Sequence, residues 1–267
     1  MTTMRHANER LGFRLELLAS MVRRDVSGRY KGSLFGIAWS LAVPVLMLAV
    51  YTLAFHELLG ARWAGAEGRS GFALMAFTGL IAHAMLAETL VRAPLAVAGS
   101  PKFVTKLVFP LTVLPLVPVG AAVFHAALAL LVLVLFAAMS GATLYWTGLA
   151  APLLIMPFVL GLCGLAWALA AIGVYVRDIN QLGALLATMF LFLSPIFYPL
   201  STIPPRYVWF VSLNPLTFVV EGLRNALFEG ILPAPLSVLA YSVAAAVFAG
   251  AGLLMFRRLR PGFGDVL

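Results

Sequence analysis

Residues 107–176 read LVFPLTVLPLVPVGAAVFHAALALLVLVLFAAMSGATLYWTGLAAPLLIMPFVLGLCGLAWALAAIGVYV and contain no Asp, Glu, Lys or Arg. One crossing of a bilayer core about 30 Å thick needs only about 20 apolar residues. The stretch therefore predicts two crossings joined by a turn, which residues 140–143 (SGAT) supply. Tyr145 and Trp146 follow the turn, and these residue types favour the headgroup level of a bilayer. Such a hairpin predicts an integral membrane protein.

The composition of the whole chain agrees with this prediction. Hydrophobic residues make up 63% and charged residues 10% of the 267 residues, and the mean hydropathy is +1.02. A soluble core surrounded by a charged surface is therefore excluded. The net charge of +8 is spread over the ends of apolar stretches, which indicates membrane topology and no nucleic-acid partner. Cys163 is the single cysteine and lies within an apolar stretch, so we expect a buried, inert thiol.

Outside the hairpin, the apolar stretches predict an all-α membrane domain with six transmembrane helices. No Ser- or Gly-rich linker and no internal repeat interrupts the sequence, so residues 1–267 are interpreted as a single domain. Residues 10–31 mix basic side chains with apolar ones at helical spacing and predict an amphipathic helix on the membrane surface. Residues 101–109 are bounded by prolines and predict a second, short surface helix. The predicted crossings are 33–55, 71–91, 111–138, 149–175, 182–200 and 231–256.

The region 203–229, between the last two predicted crossings, departs from this pattern. Five prolines fall between residues 195 and 215, and no regular helix persists at that density. After an Asn-Pro pair the sequence predicts an amphipathic helix with Glu221 and Arg224 on its polar face. Irregular backbone at membrane depth survives only where protein or a water-filled cavity satisfies its polar groups. The region therefore predicts re-entrant or gate helices, with a plain packed cap as the alternative.

Two ionisable residues lie inside the second predicted crossing. Glu88 precedes Arg92 by four residues, which is the favourable order for an ion pair on one helix. We therefore favour structural pairing of Glu88 over a role in a proton relay, the role that an intramembrane carboxylate otherwise indicates. His83 has no second metal ligand nearby in the sequence, so we favour a neutral contact between helices over metal binding.

The charges that flank the crossings predict the orientation of the chain. Six crossings place both termini on one side of the membrane. Fourteen of the 18 Lys and Arg residues then fall on the side of the termini, and four fall on the other side. The positive-inside rule therefore makes both termini, residues 101–109 and Arg177-Asp178 cytoplasmic, and it places residues 203–229 outside.

The sequence lacks the motifs of an enzyme and of a self-powered transporter. It contains no Gly-rich phosphate-binding motif, no dinucleotide-binding fingerprint, no paired carboxylates and no cluster of metal ligands. We therefore expect no catalytic residue, no metal site and no cofactor in this chain. Active transport would then need energy from a partner. An intramembrane transferase and a proton-coupled flippase, the latter tested by Glu88, are the less favoured alternatives.

Short motifs in order along the chain resemble a known transporter family. The motifs are Arg24-Asp25-Val26-x-x-Arg29-Tyr30-Lys31-Gly32-Ser33-x-x-Gly36-x-x-Trp39 followed by Pro44, then Arg177-Asp178-Ile179, Ser194-Pro195-Ile196-Phe197-Tyr198, Asn214-Pro215-Leu216 and Glu221-Gly222-x-Arg224. Their order and spacing together resemble the permease subunit of the type-2 ABC exporters of cell-surface polysaccharide, which export O-antigen, teichoic acid and capsule. The resemblance covers nearly the full length of the chain.

This resemblance implies a homodimer in the bacterial inner membrane that works with two copies of a separate, cytoplasmic ATPase subunit. That partner would bind ATP and Mg. The cargo would be a polysaccharide on a lipid carrier, typically undecaprenyl diphosphate, which moves from the cytoplasmic to the outer leaflet. A type-2 ABC permease for a drug or another lipid is the alternative.

The resemblance also implies roles for particular positions. Residues 10–31 are similar to the interface helix of the family, 101–109 to its coupling helix and 203–229 to its external gate helices. The implied ATPase-coupling interface comprises Arg23, Arg24, Asp25, Pro101, Lys102, Lys106, Arg177 and Asp178. The implied external gate comprises Pro204, Pro205, Asn214, Pro215, Glu221 and Arg224.

Two further groups of side chains are candidates for contact with the cargo. Basic residues near the cytoplasmic entrance could attract the diphosphate of the carrier, with anchoring to lipid headgroups as the alternative. This entrance comprises Arg24, Arg29, Tyr30 and Lys31. Aromatic faces could offer sugar rings a weak sliding surface, with ordinary helix packing as the alternative. The predicted translocation path comprises Trp39, Tyr51, Phe55, Phe197 and Tyr198.

Overall fold

A computed structural model describes residues 2–54, 63, 71–104 and 109–267 of the chain. Throughout these ranges the regular secondary structure is helical, without a β-strand, in agreement with the predicted all-α class. The α-helices are α1 (Thr2–Tyr30), α2 (Trp39–Tyr51), α3 (Gly71–Arg92), α4 (Leu95–Ala98), α5 (Pro101–Val104), α6 (Leu116–Met139), α7 (Ala151–Tyr175), α8 (Ile179–Leu193), α9 (Pro205–Ser212), α10 (Pro215–Arg224), α11 (Pro235–Leu259) and α12 (Phe263–Val266).

Five helical segments in the described ranges are long and apolar enough to cross a membrane. They run over Gly36–Ala54, Gly71–Arg92, Leu111–Met139, Trp146–Tyr175 and Pro235–Val266. The remaining predicted crossing, 182–200, is instead the 15-residue helix α8, which is about 22 Å long and shorter than a bilayer core of about 30 Å. Pro195 explains its early end, because a proline forces the preceding residue out of the helical conformation, and Ser194 has ψ 151°. A sixth crossing stays a prediction.

The two predicted surface helices differ in extent. Helix α1 begins at Thr2, earlier than the predicted boundary of residue 10, and it ends before Gly32, whose φ of 87° lies in the left-handed region that favours glycine. Val26 near the C-terminal end of α1 is buried, whereas Leu15 is 60% exposed. Of the predicted helix 101–109, the structure describes one turn as α5, and Phe109 is not helical. Residues 105–108 lie outside the described residues.

Helix α3 forms the centre of the bundle. Of the most apolar 18 residues of α3, 67% are buried. The corresponding share is 11% for the crossing that contains α2 and 17% for the crossing that contains α11. Helix α3 packs against α6, α7, α8 and α10. His83 of α3 forms a hydrogen bond of 2.8 Å with the carbonyl oxygen of Ala187 on α8, which confirms the predicted contact between helices.

Helices α7 and α11 form a second close pair. A Cβ atom added to Gly252 of α11 would lie 2.1 Å from the carbonyl oxygen of Gly164 on α7. Backbones approach this closely only where small residues face each other, as is common between membrane helices. Cys163, next to Gly164 at this helix–helix contact, is a free thiol packed against the hydrophobic core.

The two ends of the bundle bring different parts of the chain together. At one end, the terminal end, a single hydrophobic cluster joins α1, α5, the start of the α6 segment, α7, α11 and α12 through residues that include Met21, Phe103, Leu111, Val174, Phe256 and Phe263. The Tyr175 hydroxyl also donates a 2.8 Å hydrogen bond to the carbonyl oxygen of Leu259. At the opposite end, Trp63, Phe72 and Met75 pack with Phe197. The N-terminal helix, the α3–α6 connection, the α7–α8 turn and the C-terminus therefore share the terminal end.

The predicted gate region, 203–229, consists of α9, α10 and a π-helical turn at Asn225–Glu229. Asn214 caps α10, because its side-chain oxygen accepts a 3.0 Å hydrogen bond from the Leu216 amide. Pro215 occupies the first turn of α10, where its missing amide proton costs no hydrogen bond. The helix predicted after the Asn-Pro pair is thus confirmed.

Candidate functional site

Most residues of the implied ATPase-coupling interface are exposed at the terminal end. The exposed residues are Arg23 and Arg24 on α1, Pro101 and Lys102 on α5, and Arg177 and Asp178 in the turn between α7 and α8. Lys106 lies outside the described residues. Asp25 is half-buried, and its carboxylate is engaged within the protein.

Asp25 forms an ion pair with Arg92 at the end of α3. The two Arg92 amino groups donate to the two Asp25 oxygens at 2.6 Å and 3.0 Å. Two parallel bonds of this kind are among the strongest ion-pair geometries and fix orientation as well as distance. Arg92 also donates to Glu88 at 3.0 Å, which confirms the ion pair predicted within α3. The pair attaches α1 firmly to the end of α3.

Four more side chains extend this pair into a network that we call the ionic cluster: Asp25, Arg29, Tyr30, Glu88, Arg92 and His125. Arg29 of α1 donates both to Asp25, at 3.3 Å, and to Glu88. His125 of α6 places Nδ1 3.2 Å from a Glu88 oxygen, and its Nε2 lies 3.3 Å from the Tyr30 hydroxyl. The Glu88 side chain is only 15% exposed. Arg29, Arg92 and His125 contact its carboxylate from three sides. The cluster joins α1, α3 and α6.

Sequence reasoning missed the largest part of this cluster. It paired Glu88 with Arg92 on one helix, but it paired neither residue with α1 or α6. His125 is the single histidine in the uncharged stretch 107–176. An isolated titratable side chain in such a stretch was the signal that could have identified it as a site residue. The contacts of Asp25 and His125 span 67 and 37 residues along the sequence, so no local pattern identifies the partners.

Two of the four predicted entrance residues line a common cavity. A cavity of about 400 Å³ lies between α1, α2, α3 and α6, with Arg29, Tyr30, Glu88 and His125 at its polar part. Its remaining walls are mainly apolar and include Met47, Phe77, Leu80, Ile81 and Ala126. Arg24 instead lines a separate cavity of about 370 Å³ next to α4 and α5, and Lys31 is exposed outside both.

The predicted aromatic path is not one continuous surface in the described residues. Tyr51 lines the larger cavity, and its ring centroid lies 6.4 Å from that of Phe197. Trp39 packs edge-on against Phe35 at 5.6 Å, and the Tyr198 hydroxyl donates to the carbonyl oxygen of Phe192. Phe55 lies outside the described residues. The structure therefore brings Tyr51 and Phe197 together and leaves Trp39 and Tyr198 in separate contacts.

Arg224 is buried, which corrects its predicted place on the polar face of an amphipathic helix. Its side chain, 3% exposed, donates to the carbonyl oxygens of Met75 (2.9 Å), Pro195 (2.5 Å) and Ile196 (2.8 Å). It also donates to the Glu221 carboxylate at 2.9 Å. The buried guanidinium is tolerated because these acceptors replace the water that it loses. The prediction failed because helical periodicity does not show that neighbouring backbone supplies the partners.

The local charges agree with this geometry. Burial lowers the pKa of Arg224 to about 10, which still leaves the guanidinium charged at neutral pH. Burial raises the pKa of Glu221, and the positive charge of Arg224 opposes that shift. The other predicted gate residues stand at helix starts: Pro204 and Pro205 begin α9, and Asn214 and Pro215 begin α10.

Comparison with known proteins assigns the chain to a family. The sequence profile described as ABC-2 type transporter matches residues 16–228. The chain is 24% identical over 262 residues to the O-antigen export system permease protein RfbA of Klebsiella pneumoniae, across 96% of this chain and 97% of that protein. It is 26% identical over 256 residues to the protein of the same name from Myxococcus xanthus, across 93% and 94% of the two chains. With five apolar segments that can cross a bilayer and a profile match over most of its length, the chain belongs to the ABC-2 type transporter family and is a multi-pass membrane protein.

Proposed function

We propose that this chain is the membrane-spanning subunit of an ATP-driven exporter that moves a lipid-linked polysaccharide across the bacterial inner membrane. The family match and the O-antigen export permeases that align with nearly the whole chain support this proposal. A second copy of the chain and two copies of a separate ATPase subunit would complete the exporter. ATP and Mg would be bound by that subunit, and both termini would lie in the cytoplasm.

The observation that carries this proposal is the ionic cluster. In the proposed orientation, the exposed basic face of α1 meets the ATPase, while Asp25 and Arg29 of the same helix hold Arg92 and Glu88 of α3. Tightly packed helices move as bodies and do not deform continuously. A displacement of α1 by the ATPase would therefore move α3 and α6. This arrangement supplies the lever that a permease without its own energy source needs.

The sizes of the cavities support a path that involves a second copy. A volume of about 400 Å³ falls within the range of sites for one small molecule, which is too small for a polymer. In the crossing that contains α2, by contrast, only 11% of the most apolar 18 residues are buried, so most of this helix is available to a second copy. We propose that the polymer passes between two copies of the chain and that the cavity beside Arg29 and Tyr30 lies at its entrance.

The alternatives have less support. No described feature favours a drug or a different lipid as the cargo, and the aligned relatives are named for O-antigen export. A proton-coupled flippase would need an intramembrane carboxylate that is free to exchange protons. Glu88 is held by Arg29, Arg92 and His125, which fits a structural role.

We predict that transport depends on the ATPase subunit. The chain reconstituted with this subunit should move lipid-linked polysaccharide only when ATP is present, and replacing the phosphate-binding lysine of the ATPase should reduce the flux at least about a hundredfold. The measurement is protection of the polymer from an external glycosidase in proteoliposomes. Flux through the chain alone would contradict the proposal. Flux that Glu88→Gln abolishes and that does not respond to ATP would favour the proton-coupled alternative.

A second prediction concerns the orientation. In a Cys163→Ala background, a membrane-impermeant maleimide added to intact cells should label Pro204→Cys and not Lys102→Cys. Both positions are exposed in the structure, so after permeabilisation the two should react at similar rates, which is the internal control. Labelling of both positions in intact cells would contradict the proposed topology.

A further inference from the structure

Arg224 holds three separate parts of the chain together at the end of the bundle opposite the termini. It lies on α10, and its guanidinium binds the start of α3 through Met75 and the turn after α8 through Pro195 and Ile196. The Trp63 ring covers the guanidinium, with 4.5 Å between its centroid and Arg224 Cζ. Such a contact is most favourable where the cation is desolvated. Arg224 thus fastens the gate region to α3.

The other end of α3 is fastened in a similar way. There the Arg92 guanidinium binds Asp25 of α1 through two hydrogen bonds. Helix α3 has 22 residues and a length of about 33 Å, which matches the thickness of a bilayer core. It contains no proline, the commonest cause of a sharp kink. One largely buried helix without proline therefore carries a guanidinium-centred attachment at each end.

We propose that α3 is the rod that passes movement of α1 to the gate region and that Arg224 is the positioning residue that joins α3 to that region. This inference rests on the proposed function, because the movement of α1 is the one that an ATPase subunit would drive. The inference goes beyond a gate formed by α9 and α10 alone, because it assigns the connection between α3 and the gate region to the side chain of Arg224.

The chemistry of the attachment requires arginine. Four acceptors, three of them backbone carbonyls, surround the side chain, and the guanidinium presents five donors in a rigid planar fork. Lysine keeps the charge but has only three donors on a flexible stem. It would leave at least one of the four acceptors without a partner and would loosen the attachment of α10 to α3.

The test is an Arg224→Lys variant in the complex with the ATPase subunit. A cysteine at Leu213, which is 74% exposed between α9 and α10, reports the gate region in a Cys163→Ala background. Nucleotide should change its rate of maleimide labelling in the parent, and Arg224→Lys should reduce that change about fivefold to tenfold while ATP hydrolysis stays within about twofold. Arg206→Lys is the matched control, because Arg206 is exposed on neighbouring α9 and stacks on Tyr207. An unchanged response in Arg224→Lys would overturn the inference.

A second variant decides the question if Arg224→Lys does not fold. Trp63→Leu removes the ring that covers the guanidinium at 4.5 Å and leaves Arg224 with its four hydrogen-bond acceptors. If the attachment through Arg224 passes the movement on, Trp63→Leu should reduce the nucleotide-dependent change in labelling at position 213 about twofold to fivefold while ATP hydrolysis stays within about twofold. A response in Trp63→Leu equal to that of the parent would overturn the inference.

The outcome for the parent separates this inference from the proposed function. If nucleotide changes the labelling at position 213 in the parent and equally in Arg224→Lys, only the role of α3 and Arg224 fails. If the parent with its ATPase subunit shows no nucleotide-dependent change at all, the proposed function fails, and the inference fails with it.

Discussion

Under the proposed function, Arg92→Asp is expected to lower export of cell-surface polysaccharide about tenfold or more while the chain still inserts into the membrane. The substitution places a third carboxylate beside Asp25 and Glu88, which lie 2.6 Å and 3.0 Å from the present guanidinium. These side chains are 15–31% exposed, so solvent screens part of the repulsion. A loss of roughly 1 to 2 kcal/mol remains, and 1.4 kcal/mol corresponds to about tenfold. The attachment of α1 to α3 would then loosen, and ATP hydrolysis by the proposed partner would drive transport less effectively.

The measurement compares surface polysaccharide in cells that lack the wild-type gene with the amount of the variant in their membranes. Arg258→Asp is the matched control, because Arg258 is exposed at the terminal end of α11 and the net charge changes equally. The exchanged pair Asp25→Arg/Arg92→Asp should recover part of the loss, since it restores the opposite charges. Normal export by Arg92→Asp, or no recovery by the exchanged pair, would contradict the proposed lever.

The crossing pattern is the part of the fold that the sequence predicts well. An uncharged stretch that crosses a bilayer of fixed thickness has to form helices of a set length. The 107–176 hairpin accordingly forms the segments Leu111–Met139 and Trp146–Tyr175. Asn214 and Pro215 likewise have a local meaning as a helix cap and a first turn. These predictions succeed because each depends on residues that are close in the sequence.

The site was harder to predict, because its residues are partners across the fold. Arg224 follows Met75 by 149 residues. Periodicity placed it on the polar face of an amphipathic helix, and the structure surrounds it with backbone carbonyls. The ion pair between Glu88 and Arg92 was accessible as a spacing of four residues. The partners on other helices, Asp25 for Arg92 and His125 for Glu88, were not accessible from spacing. Helix α8 shows the same limit, since hydropathy continues to residue 200 although the helix ends at Leu193.

Gly252→Ala is expected to give the second largest effect, by disrupting the packing of α7 on α11. The new methyl group would lie 2.1 Å from the carbonyl oxygen of Gly164 and 2.8 Å from its carbonyl carbon. These are backbone atoms, so no side-chain rotation relieves the contact. Overpacking of this kind costs about 1–3 kcal/mol, and we expect the upper part of that range. The variant should melt at a lower temperature in detergent and accumulate less in the membrane.

The matched control for this prediction is Gly250→Ala, two residues earlier on the same helix. A Cβ added there meets nothing within 4 Å among the described residues, and alanine is favoured over glycine inside a helix by about 1 kcal/mol. The same substitution should therefore stabilise the protein slightly at residue 250 and destabilise it at residue 252. Equal melting temperatures for the two variants would show that α7 and α11 are not packed backbone to backbone. A lower melting temperature for Gly252→Ala alone would show that the contact between Gly252 and Gly164 holds α7 and α11 together.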